Sequence, residues 1–340
     1  MAHTHQRHDM QPDNPALTVP PPLKPVDPQL REFMRRLAVE GAKFPRRDTV
    51  SVAEGRAMTE TVRGPWAAGG PEMAKTEDLR IPTRHGDVGL RVYTPRKRLL
   101  AGAFFYIHGG GFVVCSIATH DRVMREYAER AGIVVVGIDY TLAPEGQFPV
   151  ALDECVDTVH WLRANATRFD FDPKELFIGG DSAGALLSVG VSITFRDAGV
   201  APVAGMVLNY GGFGFGTNSF MHSRAWLQYG NGEYGLSIHM SVWFRSLYVD
   251  PARVDPRLAP IDARLESLPP SWFVITECDP LYDDQVLMVE RMRAAGCEVE
   301  DKVYPGTIHS FLEAVAIADI AVQAFDDTAR WLSARATKRD

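Results

Sequence analysis

The sequence predicts an α/β fold in which a mostly parallel central sheet is flanked by helices and carries a helical cap. Three observations predict it. After about residue 76, short apolar runs alternate with helical patterns, which is typical of a sheet covered on both faces. Two glycine-containing turns each follow an apolar run directly. The stretch 213–250 then interrupts the alternation with glycines, aromatic residues and a helical pattern, and is expected to be an insertion above the sheet.

The predicted elements follow one another in a simple order. A hairpin at 79–82 and 88–93 comes first. The apolar runs that predict the further strands are 103–107, 133–138, 176–178, 204–208, 272–276 and 298–304. The helical patterns between and after them are 119–131, 150–165, 183–197, 237–247, 283–295 and about 317–334.

The chain is expected to divide into a tail, a cap and a core. Within the N-terminal part of the cap, Asp27 and Pro28 begin an amphipathic helix, whereas about 45–75 is weakly patterned. The expected divisions are a flexible tail (1–15), the N-terminal part of the cap (16–75), the catalytic core (76–212 and 251–340) and the cap insertion (213–250).

The composition excludes several classes of function. Of 340 residues, 46% are hydrophobic and 23% are charged, which suffices for a large core. The net charge of −7 and the scattered Lys and Arg residues favour no nucleic-acid partner. No apolar run approaches the roughly 18 residues of a membrane helix, and residues 1–13 do not resemble a signal peptide. Four widely spaced cysteines predict neither a metal site nor a disulfide framework, but reduced thiols in a cytoplasmic protein.

The turn that contains Ser182 is the strongest chemical signal. The motif from Gly180 to Gly184 runs from an apolar strand straight into an apolar helix. In that context a G-x-S-x-G motif forces the serine into a strained, projecting conformation, for which the small glycines provide room. The positive end of the helix also stabilises developing negative charge. Ser182 is therefore the expected nucleophile.

A run of three glycines after His108 predicts an oxyanion site. Acyl transfer passes through a tetrahedral oxyanion, which preorganised backbone N–H groups stabilise. The expected donors are Gly109 and Gly110, with Ala183 as the third. A phosphate-binding loop would end in Lys followed by Ser or Thr, and this loop does not. His108 itself suits a structural hydrogen bond better than the role of a base.

The base and its carboxylate are expected after the serine, with the acid first. Asp279 lies just past the carboxyl end of a predicted strand, where catalytic groups gather. The neighbouring carboxylates fit less well, because Glu277 lies within or at the end of the strand and Asp283 and Asp284 suit helix capping. Of the ten histidines, His309 alone follows Asp279, in a glycine-containing loop after the last strand. Asp279 and His309 are the expected acid and base.

With these motifs assembled, the chain resembles the bacterial hormone-sensitive-lipase-like (family IV) carboxylesterases of the α/β-hydrolase superfamily. The segments that carry the resemblance, between about 76 and 335, are HGGGF at 108–112, DYTLAPE at 139–145, GDSAG at 180–184, DPLYD at 279–283 and GTIHSF at 306–311. The resemblance implies an α/β-hydrolase fold, ester hydrolysis without a cofactor, a cap built from the N-terminus and an insertion, and frequent dimerisation. It also supports Ser182, Asp279 and His309 as the catalytic triad.

The expected function is hydrolysis of short-to-medium acyl or aryl esters through an acyl-enzyme, with a small-molecule ester as partner. An amidase or a lactonase on the same machinery remains an alternative, as does a non-catalytic small-molecule receptor on this fold. Several large aromatic side chains could line the substrate pocket, or simply pack the cap onto the core. They are Phe33, Phe213, Phe215, Trp226, Tyr229 and Trp243.

Overall fold

A computed structural model describes residues 23–217, 221–250 and 255–339, so the predicted flexible tail at 1–15 lies outside the described part of the chain. Eight strands in this part form one sheet. They are β1 (Lys75–Thr83), β2 (Gly86–Thr94), β3 (Ala103–Ile107), β4 (Val134–Asp139), β5 (Leu176–Asp181), β6 (Met206–Asn209), β7 (Ser271–Cys278) and β8 (Val299–Ile308).

The sheet is mostly parallel. Its spatial order is β1-β2-β4-β3-β5-β6-β7-β8. β1 pairs antiparallel with β2, and β2 pairs antiparallel with β4, whereas every pairing from β4 through β3 to β8 is parallel. The carboxyl ends of β3, β5, β6, β7 and β8 therefore meet at one edge, which is where such sheets gather functional groups.

Helices cover both faces of the sheet. Their bounds are α1 (Pro28–Gly41), α2 (Val52–Ala67), α3 (Asp121–Ala131), α4 (Val150–Ala164), α5 (Ala183–Asp197), α6 (Arg224–Tyr229), α7 (Ile238–Tyr248), α8 (Tyr282–Ala294) and α9 (Asp319–Arg335). None of these helices is both long and apolar enough to cross a bilayer.

Alternation along each strand divides the core into two layers. In β3, Phe105 and Ile107 pack into one layer, and Phe104 and Tyr106 pack into the other. The second layer contains α3 and α9, whose contact includes the Tyr127 and Phe325 rings at 4.7 Å between centroids. The predicted α/β fold, with a mostly parallel sheet flanked by helices, is confirmed.

The sequence does not predict helix α2, because 45–75 is weakly patterned. It begins at a capping box in which Ser51 and Glu54 bond to each other's backbone N–H. Only four of its residues are buried, and two of these are Gly55 and Thr59, so it has no apolar stripe that a sequence pattern could reveal. Helix α2 packs against α1 through the rings of Phe33 and Trp66, 4.6 Å apart.

Candidate active site

Ser182 lies on the sharp turn between β5 and α5. Its backbone has φ +52° and ψ −113°, a conformation that non-glycine residues rarely adopt and that costs free energy. The Ser182 N–H donates to the carbonyl of Asn209 at 2.9 Å, which holds the turn against β6. A Cβ at Gly184 would lie 1.9 Å from the Ile107 carbonyl oxygen, so this turn can approach β3 only with glycine there.

His309 and Asp279 meet Ser182 at the same edge of the sheet. His309 follows β8 directly, and Asp279 follows β7. The Nδ1 atom of His309 lies 2.8 Å from Asp279 Oδ2, and its Nε2 atom lies 3.0 Å from Ser182 Oγ. Because a carboxylate only accepts hydrogen bonds, Nδ1 carries the proton and Nε2 is free to accept one from the serine hydroxyl. The three side chains thus form one continuous chain of hydrogen bonds.

The Asp279 carboxylate is fully buried and held from several sides. The Thr276 hydroxyl donates to Oδ2 at 2.6 Å, and the Leu281 N–H donates to Oδ1 at 2.8 Å. The Gln285 amide contacts both Thr276 and Asp279. Charge-assisted bonds of this kind compensate the carboxylate for the loss of water and fix the oxygen that faces His309.

The glycine loop corrects one expected oxyanion donor. The Gly109 N–H already donates to Asp181 Oδ1 at 3.0 Å, so it is not available to a ligand. Gly110 and Gly111, with φ of +107° and +60°, line a cavity together with Ser182 and Ala183. Within the described residues, the N–H groups of these two glycines and of Ala183 have no hydrogen-bond acceptor. The available donors are therefore Gly110, Gly111 and Ala183, with Gly111 in place of Gly109.

Asp181 joins the glycine loop to the serine turn. Besides the Gly109 N–H, its Oδ1 atom accepts from the Tyr106 hydroxyl at 2.7 Å and lies 3.4 Å from Nε2 of His120. Burial alone would raise the pKa of Asp181, but the attraction of His120 and the hydrogen bonds outweigh it and lower that pKa to about 2. In turn, burial opposes protonation of His120, but the charge of Asp181 prevails and raises the pKa of His120.

His108 is buried and takes no part in the hydrogen bonds that join Asp279, His309 and Ser182. Its Nδ1–H donates to the Gly109 carbonyl at 2.7 Å, and its ring stacks on Tyr140 with 4.4 Å between centroids. Burial, followed by the nearby charge of His120, lowers the pKa of His108 to about 4. The ring is therefore neutral near pH 7, and its geometry supports a structural role.

Two cavities that share lining residues lie beside Ser182 and His309. An inner cavity of about 100 Å³ contains Ser182 and the glycine loop, and an outer cleft of about 1060 Å³ opens above His309. The cleft lies between α1 and α2 on one side and α7 on the other. Of the predicted pocket residues, Phe33 lines the cleft and Phe215 lines the inner cavity.

The other four predicted aromatic residues line neither cavity. Phe213 packs against Phe273, with 5.8 Å between ring centroids, and Tyr229 packs against Tyr234 at 4.9 Å. Trp226 is buried in the core. Trp243 lies beside Phe244 on α7, but the helix presents Phe244 to the cavity. These residues pack the cap onto the core, and their expected place in the pocket is corrected.

Charged side chains line the inner cavity as well, and sequence reasoning missed them. Arg47 and Arg63 come from the N-terminal part of the cap, and Glu313 comes from the short helix that follows His309. Arg63 forms an ion pair with Glu313. Burial alone would lower the pKa of Arg63, but the charge of Glu313 outweighs it and raises that pKa. No motif marks Arg47 or Arg63, because 45–75 shows no periodic pattern. Within the described residues, no cluster of three or more His, Cys, Asp or Glu side chains could hold a metal ion.

Esterases of known structure are similar to this chain over most of its length. The chain is similar to a hyperthermophilic esterase from the archaeon Pyrobaculum calidifontis, with 31% identity over 91% of this chain and 98% of that chain and a TM-score of 0.83. It is similar to EstE1, a thermostable carboxylesterase cloned from a metagenomic library, with 33% identity over 85% and 99% of the two chains and a TM-score of 0.79.

A third similar structure is the ester hydrolase EH1AB1 from the metagenome of Lake Arreo, complexed with a derivative of bipyridine phosphonate. It has 31% identity over 91% of this chain and 98% of that chain, with a TM-score of 0.83. A family profile described as "alpha/beta hydrolase fold" matches residues 104–313. These matches confirm the resemblance to hormone-sensitive-lipase-like esterases. The chain belongs to the α/β-hydrolase fold family.

Proposed function

We propose that this protein is a serine carboxylesterase with Ser182 as nucleophile, His309 as general base and Asp279 as the orienting acid. The observation that carries the proposal is the chain of hydrogen bonds from Asp279 through His309 to Ser182, at 2.8 and 3.0 Å. A serine hydroxyl needs such a base near neutral pH, and the base needs a carboxylate to hold its tautomer.

The proposed reaction proceeds through an acyl-enzyme. Nε2 of His309 takes the Ser182 proton as Oγ attacks the ester carbonyl, while the Asp279 carboxylate stabilises the imidazolium that forms. The N–H groups of Gly110, Gly111 and Ala183 receive the oxyanion. His309 then gives the proton to the leaving alcohol. A water molecule, deprotonated by the same histidine, releases the acid and restores the hydroxyl.

The cavities favour a short acyl chain. The inner cavity of about 100 Å³ has apolar walls that include Phe112, Leu186, Phe215 and Phe244. A chain of a few carbons fits such a volume, whereas a larger group fits the outer cleft of about 1060 Å³. Ester hydrolysis is favoured over amide or lactone hydrolysis because the similar proteins are named as esterases.

Replacement of Ser182 tests the proposal. Ser182→Ala is expected to lower kcat on para-nitrophenyl butyrate by about 10,000-fold or more, because the nucleophile and base act as a unit. Ser192→Ala is a matched control, since it removes a buried hydroxyl of α5 whose partners among the described residues are the Ser188 carbonyl and Met206. An aryl phosphonate is expected to add its mass to the Ser182 peptide alone. An active Ser182→Ala variant, or labelling elsewhere, would overturn the assignment. Parallel assays with an anilide and a lactone decide the leaving group.

A further inference from the structure

The inner cavity holds one cationic side chain that no carboxylate balances. The Asp181 carboxylate is satisfied by its three donors, and Glu313 is paired with Arg63. Arg47 lines the same cavity and also the outer cleft. Throughout residues 23–217, 221–250 and 255–339, the Arg47 guanidinium has neither an ion pair nor a hydrogen bond of its own. The Arg47 guanidinium therefore presents an unpaired positive charge to the inner cavity.

Packing against α2 restricts the conformational freedom of the Arg47 side chain. Arg47 begins the short helical turn Arg47–Thr49, which connects α1 to α2. Its stem lies along α2 at Gly55, where a Cβ would be 3.6 Å from Arg47 Cβ and 3.8 Å from Arg47 Cγ. The side chain is half-buried. Because the stem packs against the helix, the guanidinium loses less conformational freedom when it binds a ligand.

The surroundings of Arg47 disfavour its own charge. Burial and, secondly, the like charge of Arg63 lower the pKa of Arg47. An unpaired, partly buried cation is unfavourable until an anion approaches it. A planar guanidinium matches the two oxygens of a carboxylate, with two parallel hydrogen bonds. A neutral short acyl chain would leave this cation unsatisfied.

We propose that the active site selects esters that carry a carboxylate, and that Arg47 binds this carboxylate while Ser182 attacks the ester carbonyl. The aromatic walls formed by Phe112, Phe215 and Phe244 hold the apolar part of the same substrate. Arg47 thus acts as a specificity-determining residue. The Arg63–Glu313 ion pair lines the same cavity beside it. This inference rests on the proposed esterase function.

The test compares acids with their amide isosteres, in two arms. In the first arm the carboxylate is on the acyl side, in monoethyl glutarate, and its neutral partner is ethyl glutaramate. In the second it is on the alcohol side, in para-carboxyphenyl butyrate, and the partner is para-carbamoylphenyl butyrate. The quantity measured is the ratio of kcat/KM for the acid to kcat/KM for the amide. Comparing this ratio between variants cancels the intrinsic reactivity of each ester.

Arg47→Met is expected to lower the ratio about 10-fold or more in one of the two arms, because a hydrogen-bonded charge is lost from the complex. The arm that responds identifies the side of the ester that carries the carboxylate. Arg47→Lys keeps the charge but not the planar fork, and an intermediate ratio is expected. Arg35→Met is the matched control: Arg35 lines neither cavity, is exposed and is paired with Glu32, so its loss changes the net charge equally.

Three results would overturn the inference: an unchanged ratio in both arms for Arg47→Met, an equal fall for Arg35→Met, or a wild-type enzyme that hydrolyses only the amide isosteres. In each of these the esterase proposal survives. If the wild-type protein hydrolyses none of the four esters and the phosphonate does not label Ser182, the proposed function itself fails.

Discussion

Asp181→Asn is the substitution whose effect can be worked out most fully. Three donors converge on Oδ1 of Asp181, from Tyr106, Gly109 and His120. Its Oδ2 atom lies against the glycine loop, since a Cβ at Gly109 would be only 2.3 Å from it. Asparagine keeps the shape of the side chain. It removes the negative charge, however, and places an amide N–H₂ or a reversed oxygen in this buried space.

The expected loss in the free energy of unfolding is about 3 kcal/mol at pH 7. Folding lowers the pKa of Asp181 from 3.8 to about 2, against the effect of burial, which corresponds to about 2 kcal/mol for a buried carboxylate. A buried amide without its full set of partners costs about 1 kcal/mol more. Because the pKa falls on folding, the first contribution is present above about pH 3.8 and is lost as the pH falls toward 2.

Urea unfolding followed by tryptophan fluorescence measures this difference. Asp170→Asn is the control, because it removes an exposed carboxylate that pairs with Arg98 and Arg339, and less than about 1 kcal/mol is expected. Asp181→Asn is also expected to lower kcat on para-nitrophenyl butyrate about 10-fold, since a displaced glycine loop misaligns the Gly110 and Gly111 donors. Two results would contradict this explanation. One is a free energy of unfolding within about 1 kcal/mol of wild type at pH 7. The other is a difference between variant and wild type that stays the same as the pH falls below 4.

Two further substitutions test how the site is held. Thr276→Val removes the hydroxyl that donates to Asp279 at 2.6 Å. Steady-state kinetics should show kcat lowered about threefold to tenfold with KM nearly unchanged. A rise in KM as large as the fall in kcat would contradict a positioning role. Gly111→Ala puts a Cβ 2.3 Å from the Phe244 ring at a φ of +60°, and kcat/KM should fall at least about 10-fold while circular dichroism shows a folded protein. Phe244→Ala in the same chain should recover part of this loss, and no recovery would place the effect elsewhere.

The sequence predicts best where local pattern and chemistry coincide. Strands β3 to β7 are short, apolar and separated by helical patterns, so burial on both sheet faces is visible in the residues themselves. The order of Ser182, Asp279 and His309 follows from the sheet, because each residue lies just after the end of a parallel strand.

Prediction fails where the answer depends on a residue far away in the chain. Three consecutive glycines do not reveal which N–H is free, because the Gly109 N–H donates to Asp181, which lies 72 residues later at the end of β5. Trp243 and Phe244 are neighbours, yet adjacent helical positions differ by about 100° and only one faces the cavity. Arg47 belongs to a segment without periodicity, and its position becomes visible only when α2 packs onto the core.

Both parts of the cap contact the loop that carries His309, the proposed base. Arg63 of α2 pairs with Glu313, four residues after His309, and the Tyr234 carbonyl of the cap insertion accepts the His309 N–H at 3.2 Å. A cap that opened fully would break both contacts, leave the buried Glu313 carboxylate without its cation and release the His309 backbone. The cap thus supplies two of the contacts that hold the loop of His309, and the cleft between α1, α2 and α7 opens above this residue.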